Sequence, residues 1–215
     1  MNAVIVDYGS GNLRSAEKAL ARAAAETDYG EVVVSADPDA VATADHILLP
    51  GVGAFADCKR GLEAVDGLRE ALDRRARVDG RPFLGVCVGM QLLADRGLEH
   101  GETPGLGWIG GVVDAIAPAD AKLRVPHMGW NRVQPTENGR AHPLLAAITP
   151  DSFAYFVHSY AFSAVSGGAR MADTPYGGPI TAAVGRDTLF GVQFHPEKSQ
   201  KTGLELLRAF LRWRP

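Results

Sequence analysis

The sequence is poor in the features that mark several protein classes. Cysteine occurs only twice in 215 residues, too few to staple a chain of this length, so both are expected as reduced thiols. No apolar run approaches the roughly 20 residues that a membrane-spanning helix requires. The start, Met1-Asn2-Ala3-Val4-Ile5-Val6-Asp7, has no basic segment, and its apolar run is too short for a secretory leader. Basic charge is not in excess either. Lys and Arg number 22 against 25 Asp and Glu, a net charge of −3, without the basic stripe of a nucleic-acid binder. Low-complexity linkers and internal repeats are absent. These absences leave a cytoplasmic chain long enough for a sizeable core, expected to form one domain over residues 1–215.

What is present is an alternation of short apolar runs and helical patterns. Ala3-Val4-Ile5-Val6, Val32-Val33-Val34, His46-Ile47-Leu48-Leu49 and Phe83-Leu84-Gly85-Val86 have the uninterrupted apolar character of buried parallel strands. Between them the 3.6-residue period predicts a helix over Leu13 to Ala25 and another over Ala54 to Val78, broken at Gly61 or Gly67. After Phe83–Val86 a further helix carries Gln91, Leu92 and Leu93. The second half is punctuated by Gly and Pro, with strand-like runs at Val112–Ile116, Phe153–Val157, Ile180–Val184 and Thr188–Phe194. Gly185-Arg186-Asp187 reads as the turn of a hairpin, and a closing helix runs from about Thr202 to Trp213. The fold class is therefore α/β: a central, mostly parallel sheet covered by helices on both faces, with antiparallel strands in the C-terminal half. The Gly-rich stretches Gly105–Gly111 and Ala164–Gly178 are read as surface loops of no assigned function.

Chemistry concentrates at Gly85-Val86-Cys87-Val88-Gly89, where an apolar strand runs into a helix with cysteine at the junction. This is the G-x-nucleophile-x-G elbow with a thiol in the nucleophile's place. Glycines allow the strand and helix to approach without Cβ clashes, and a helix N-terminus favours the thiolate. The N–H of Val88 is placed to face a developing oxyanion. Without the elbow, a cysteine after a buried strand would be a structural thiol. Cys58, mid-helix in Ala56-Asp57-Cys58-Lys59-Arg60, has no such context and is assigned to packing.

A thiol nucleophile needs a base. His195-Pro196-Glu197 follows the strand Leu189–Phe194, and residues i and i+2 of an extended segment face one side. Glu197 then holds the imidazole, completing nucleophile, base and orienter. His158, at the end of an aromatic strand, is the competing base, while His46, His100, His127 and His142 have ordinary structural settings. Leu49-Pro50-Gly51-Val52-Gly53 is a glycine-rich turn from strand to helix. It either completes an oxyanion hole at the carboxyl ends of the strands or is simply a tight connection. Gly9-Ser10-Gly11-Asn12-Leu13-Arg14 is not a dinucleotide fingerprint, because Arg14 stands where the third glycine belongs.

Gly85-Val86-Cys87-Val88-Gly89-Met90-Gln91-Leu92-Leu93 together with His195-Pro196-Glu197 resembles the class I, triad-type glutamine amidotransferases. Asp7–Leu13, Pro50–Phe55, Pro126-His127-Met128-Gly129-Trp130-Asn131, Tyr155–Tyr160 and His195–Ser199 narrow the resemblance to the glutaminase subunits of imidazole glycerol phosphate synthase. The resemblance spans nearly the whole chain and implies a mechanism. Cys87 forms a γ-glutamyl thioester, His195 moves the protons and Glu197 orients it. Val88 N–H holds the oxyanion, joined by Val52 N–H once the Pro50–Gly53 turn is suitably oriented. Gln91 binds the α-amino-acid end of glutamine, and Gly53, Ser159 and Tyr160 line the rest of the pocket. No metal and no cofactor are implied. The implied partner is a (β/α)₈ synthase (cyclase) subunit in a heterodimer, fed with ammonia for histidine biosynthesis and contacted by Asn12, Trp130, Tyr155 and Lys198. From the residues alone, Tyr155 reads as a core aromatic and Lys198 as a solvated cation, and among these positions only Trp130 reads as an interface anchor. A triad glutaminase serving pyridoxal phosphate or anthranilate synthesis, a γ-glutamyl hydrolase and a non-catalytic module are the alternatives.

Overall fold

In a computed structural model, the residues described are 1–149, 151–163, 165–166 and 168–215. The first half is built from β1 (Asn2–Val6), α1 (Leu13–Ala25), β2 (Glu31–Ser35), α2 (Pro38–Thr43), β3 (His46–Leu49), α3 (Phe55–Ala64), α4 (Leu68–Asp73), β4 (Phe83–Val86) and α5 (Val88–Gln91). The second half contains β5 (Arg96–Gly97), β6 (Thr103–Pro104), β7 (Val112–Ala115), β8 (His127–Arg132), β9 (Gln134–Pro135) and α6 (Glu137–Ala141). It continues with β10 (Phe153–His158), β11 (Tyr160–Ser163), β12 (Arg170–Pro175), β13 (Pro179–Arg186), β14 (Leu189–Val192) and α7 (Gln200–Arg212).

Eight strands form the central sheet in the order β2-β1-β3-β4-β14-β13-β12-β9. β2, β1, β3, β4 and β14 are mutually parallel, and β14, β13, β12 and β9 continue the sheet antiparallel. Right-handed crossovers place α1 on one face, because β1 to β2 runs one way along the sheet. They place α2, α3 and α4 on the other, because β2 to β3 and β3 to β4 run the opposite way. Accordingly α7 packs on α1, while α2 packs on α4 and α3 on α4 and α5. The buried face of α1 is Ala16, Leu20, Ala23 and Ala24, four positions at helical spacing. β1, β3, β4 and β14 are buried on both faces, which explains their uninterrupted apolar sequences.

The strand order reverses around β1, so the carboxyl ends of β1, β3, β4 and β14 open onto one crevice. Beside it stand a two-stranded sheet, β10-β8, and a four-stranded sheet, β11-β7-β5-β6. Burial along β10 alternates, with Ala154, Phe156 and His158 inward and Phe153 exposed.

Several sequence expectations need correction. The helix expected over residues 54–78 is two helices and a π-helical turn, Arg74–Val78. The break falls at Gly67, which has φ +74, whereas Gly61 lies inside α3, where a Cβ would come within 2.7 Å of the Tyr8 carbonyl. The hairpin turn shifts by one or two residues: Arg186 pairs with Leu189, and Asp187 at φ 52 makes the bend with Thr188. Gly105–Gly111 is not mere surface, since Leu106, Trp108 and Ile109 are buried. Of Ala164–Gly178, positions 164 and 167 lie outside the described residues, and the remainder includes β12, with Met171, Ala172 and Thr174 in the core. The mixed composition of these segments concealed their burial, because each is short and packs on strands remote in sequence.

Candidate active site

The turn at Cys87 follows from the residues around it. Cys87 has φ 55 and ψ −112, a conformation that costs an L-residue about 1–3 kcal/mol. Its N–H donates to the Val192 carbonyl at 2.8 Å, while its own carbonyl accepts from Met90 and Gln91 N–H, both at 3.1 Å. These bonds tie the strained residue to β14 on one side and to α5 on the other. The flanking glycines are required sterically. A Cβ on Gly85 would lie 2.5 Å from the Gly89 carbonyl oxygen, and one on Gly89 would lie 2.0 Å from the Leu49 carbonyl oxygen.

His195 follows β14. Its N–H donates to the Tyr155 carbonyl at 3.0 Å, and its carbonyl accepts from Ser199 Oγ at 2.7 Å. Ser199 Oγ in turn accepts from Tyr155 N–H at 2.9 Å. Nδ1–H of His195 donates to Glu197 Oε1 at 2.9 Å, which leaves Nε2 for the thiol. The residues from Pro196 to Lys198 form a 3₁₀ turn, so the pair meets by a turn rather than by the extended alternation expected from sequence. Burial alone would lower the His195 pKa, but the hydrogen bonds and negative charge of Cys87 and Glu197 outweigh it and raise the value to about 9. The imidazolium is thereby held beside the sulfur at neutral pH.

The competing histidine is committed elsewhere. His158 Nδ1–H donates to the Tyr160 carbonyl at 2.8 Å, and its Nε2 receives His127 Nδ1–H at 3.0 Å. Burial lowers the pKa of each to about 4. His127 is packed between Phe156 and Tyr176. Both rings therefore act as neutral spacers between β8, β10 and β11.

A cleft of about 360 Å³ opens above Cys87 and His195. Val52, Gly53, Val88, Gln91, Ser159 and Tyr160, all anticipated around the substrate, line it. Lys198 also lines it, as does Glu99, which sequence reasoning missed and which accepts the Phe55 N–H at 2.7 Å. Gln91 is buried, and its Nε2 donates to the Tyr160 carbonyl and to Gln193 Oε1, both at 3.0 Å.

The two anticipated oxyanion donors are engaged within the protein. Val88 N–H donates to the Gly51 carbonyl at 3.3 Å. Val52 N–H donates to Ser10 Oγ at 3.1 Å, and Ser10 Oγ–H returns a 2.7 Å bond to the Val52 carbonyl. Cys58 Sγ reaches the same carbonyl at 3.3 Å, and Tyr8 OH donates to the Pro50 carbonyl at 2.5 Å. Burial raises the Cys58 thiol pKa, so this second cysteine is a neutral packing group that also grips the turn. Tyr8 and Ser10 lie in the Asp7–Leu13 motif, but the sequence assigned them no contact with the turn, because their partners lie about 42 residues away.

Beside the cleft, Trp130 on β8 is half-exposed and stands edge-on to Tyr155 on β10, ring centroids 6.1 Å apart. Lys198 Nζ sits 5.7 Å over the Tyr155 ring. Asn12 is exposed on the other side of the Pro50–Gly53 turn, where its carbonyl accepts the Ala16 N–H at 3.0 Å as α1 begins. No group of acidic, His or Cys side chains able to hold a metal, and no helix long and apolar enough to cross a membrane, occurs among the described residues.

Comparison with known proteins identifies the family and the fold. The family described as glutamine amidotransferase class-I matches residues 4–213. Proteins named imidazole glycerol phosphate synthase subunit HisH are similar over 100% of both chains, with 56% identity in Rhodospirillum rubrum and 55% in Cereibacter sphaeroides. Among solved structures, one described as a glutamine amidotransferase superposes with a TM-score of 0.72 at 17% identity, covering 98% of this chain and 97% of that one. The glutaminase domain of Trypanosoma brucei CTPS gives a TM-score of 0.65 at 18% identity, covering 100% and 94%. These two support the fold, and the HisH proteins narrow the family. A strained thiol elbow, a paired imidazole and a likeness that runs from end to end have one account: the chain belongs to the class-I glutamine amidotransferases, and within them to the HisH family of imidazole glycerol phosphate synthase subunits.

Proposed function

We propose that this enzyme is a glutaminase that supplies ammonia to a synthase (cyclase) subunit, working as one half of a heterodimer in the cytoplasm. The observation that carries the reading is the single cleft shared by Cys87 at its elbow and the His195–Glu197 pair. The thiolate of Cys87 attacks the side-chain carboxamide carbon of glutamine, and the carbonyl oxygen becomes an oxyanion. His195 gives its Nε2 proton to the departing nitrogen, which leaves as ammonia from a γ-glutamyl thioester. His195 then takes a proton from water as that water attacks the thioester, glutamate departs and the thiolate returns. Glu197 holds one tautomer and stabilises the imidazolium. Gln91, Gly53, Ser159 and Tyr160 surround the amino-acid end of the substrate.

The oxyanion donors are Val88 and Val52 N–H. Both are engaged inside the protein here, so full activity requires the Pro50–Gly53 turn to reorient. The synthase partner is the agent proposed to reorient it: Lys198 lines the cleft and sits over Tyr155, which packs against the half-exposed Trp130, and Asn12 lies against Pro50–Val52 of the turn. Half-exposed aromatics next to a catalytic mouth are suited to anchor a partner. The ammonia is consumed in making imidazole glycerol phosphate and aminoimidazole carboxamide ribonucleotide. One domain spanning residues 1–215 accounts for the family match. The test is glutamate release from glutamine by the chain alone and mixed with its synthase. Release accelerated by the synthase and abolished in Cys87→Ala is expected. A mixture that releases no glutamate, or a Cys87→Ala variant at full rate, would refute the reading.

A further inference from the structure

Gln193, the residue two before His195, has no part in the triad. It is fully buried at the end of β14, with its backbone N–H donating to the Ala182 carbonyl at 2.9 Å. Its side chain is nonetheless turned to the chemistry: Nε2 lies 3.7 Å from Cys87 Sγ, within hydrogen-bonding range for sulfur. The direction of this bond is dictated by the groups behind it. The Tyr160 carbonyl can only accept, so the group that Gln91 turns to it at 3.0 Å must be the amide nitrogen. That nitrogen also lies 3.0 Å from the Gln193 carboxamide, which must therefore present oxygen to it. The nitrogen of Gln193 is then left to face the sulfur. Both amides are oriented by a backbone carbonyl at the far end of the chain, not by their own preference.

We infer that Gln193 is a further catalytic residue of the proposed glutaminase: it donates an N–H to the Cys87 sulfur, favouring the thiolate and fixing its direction toward the cleft. A buried carboxamide serves this purpose well, since it brings a donor to an anion without a countercharge that would compete with His195. Its other end accepts from Gln91, a residue lining the substrate cleft. The nucleophile and the substrate-binding side chain therefore share one hydrogen-bonded frame, Tyr160–Gln91–Gln193–Cys87. This inference rests on the glutaminase reading only for the reaction that the thiolate performs.

The test separates the two. Gln193→Met keeps the side-chain length and removes the donor. Alkylation of the full chain by iodoacetamide, located at Cys87 by mass spectrometry and followed against pH, reports the thiolate without requiring glutamine to bind. In the folded variant the half-maximal pH is expected to rise by about one unit, with alkylation roughly tenfold slower on the acid side. A folded variant with the parent's pH profile would overturn the assignment, while glutamate release by the parent protein would leave the glutaminase reading standing. A second measurement needs no variant. Gln193 is one of four glutamines in the chain, and with ¹⁵N-labelled side-chain amides its NH₂ signals are expected to move with the same midpoint as Cys87 alkylation. Signals that stay flat through that midpoint would overturn the proposal equally.

Discussion

Removing the hydroxyl of Ser10 should release the turn that stands over the elbow. Ser10 Oγ makes two bonds to the backbone of one residue, donating to the Val52 carbonyl at 2.7 Å and accepting the Val52 N–H at 3.1 Å. Each is worth about 1 kcal/mol net, and the pair about 2 kcal/mol. Val52 is 43% exposed, so water replaces part of this when the hydroxyl is lost. Cys58 Sγ, 3.3 Å from the same carbonyl, retains some hold as well. A net change of about 1.4 kcal/mol is left, which is tenfold in the population of the reoriented turn. If reorientation is what exposes the oxyanion donors, Ser10→Ala raises glutamate release by the isolated chain about tenfold. The rate with synthase present stays near the parental value, because the turn is then already reoriented, so the stimulation ratio falls by the same factor. The assay is steady-state glutamate release with and without the synthase, backed by a melting curve to show that the variant is folded. A folded Ser10→Ala protein whose unassisted rate stays within twofold of the parent would refute the reasoning.

Two further outcomes are expected. Because the His195 pKa is raised from 6.5 to about 9, the charged ring contributes stability that is fully present below pH 6.5 and is lost as pH rises through about 9. Glu197→Gln should lower the pH at which the ring titrates, seen by NMR, and shrink the fall in melting temperature between pH 7 and pH 10; an unchanged titration would show that Glu197 contributes nothing to the shift. Gly89→Ala places a Cβ 2.0 Å from the Leu49 carbonyl oxygen, a backbone atom that cannot move aside cheaply. A loss of roughly 3 kcal/mol in denaturant-derived stability is expected, and a variant as stable as the parent would mean that the elbow and β3 are not in contact as described.

Much of the fold was legible because burial on both faces leaves a direct mark on a strand's composition. β1, β3 and β4 are uninterrupted apolar runs, and α1 carries its apolar stripe at helical spacing, so their boundaries follow from local pattern. The Cys87 elbow was legible for the same reason, since a strained strand-to-helix turn needs glycine on both sides within five residues. β8 and β12 were not recognised. β8 is half-exposed and interrupted by Gly129, and β12 carries Arg170 and Asp173, which pair with each other. Such strands are defined by the partner strand they meet, not by their own hydropathy.

The sequence by itself determined the identity of the thiol, the imidazole and the carboxylate, because each lies within a short segment whose pattern states its conformation. Only the tertiary structure decided what those groups touch. Parallel strands carry their chain ends to one crevice from positions far apart, so Ser10 meets Val52, and Gln193 meets Cys87 across 106 residues. Hydrogen bonds of that separation leave no periodicity in a linear chain. Whether the Val88 and Val52 N–H groups are free or engaged is likewise set by the neighbouring carbonyl and hydroxyl that the fold brings up to them.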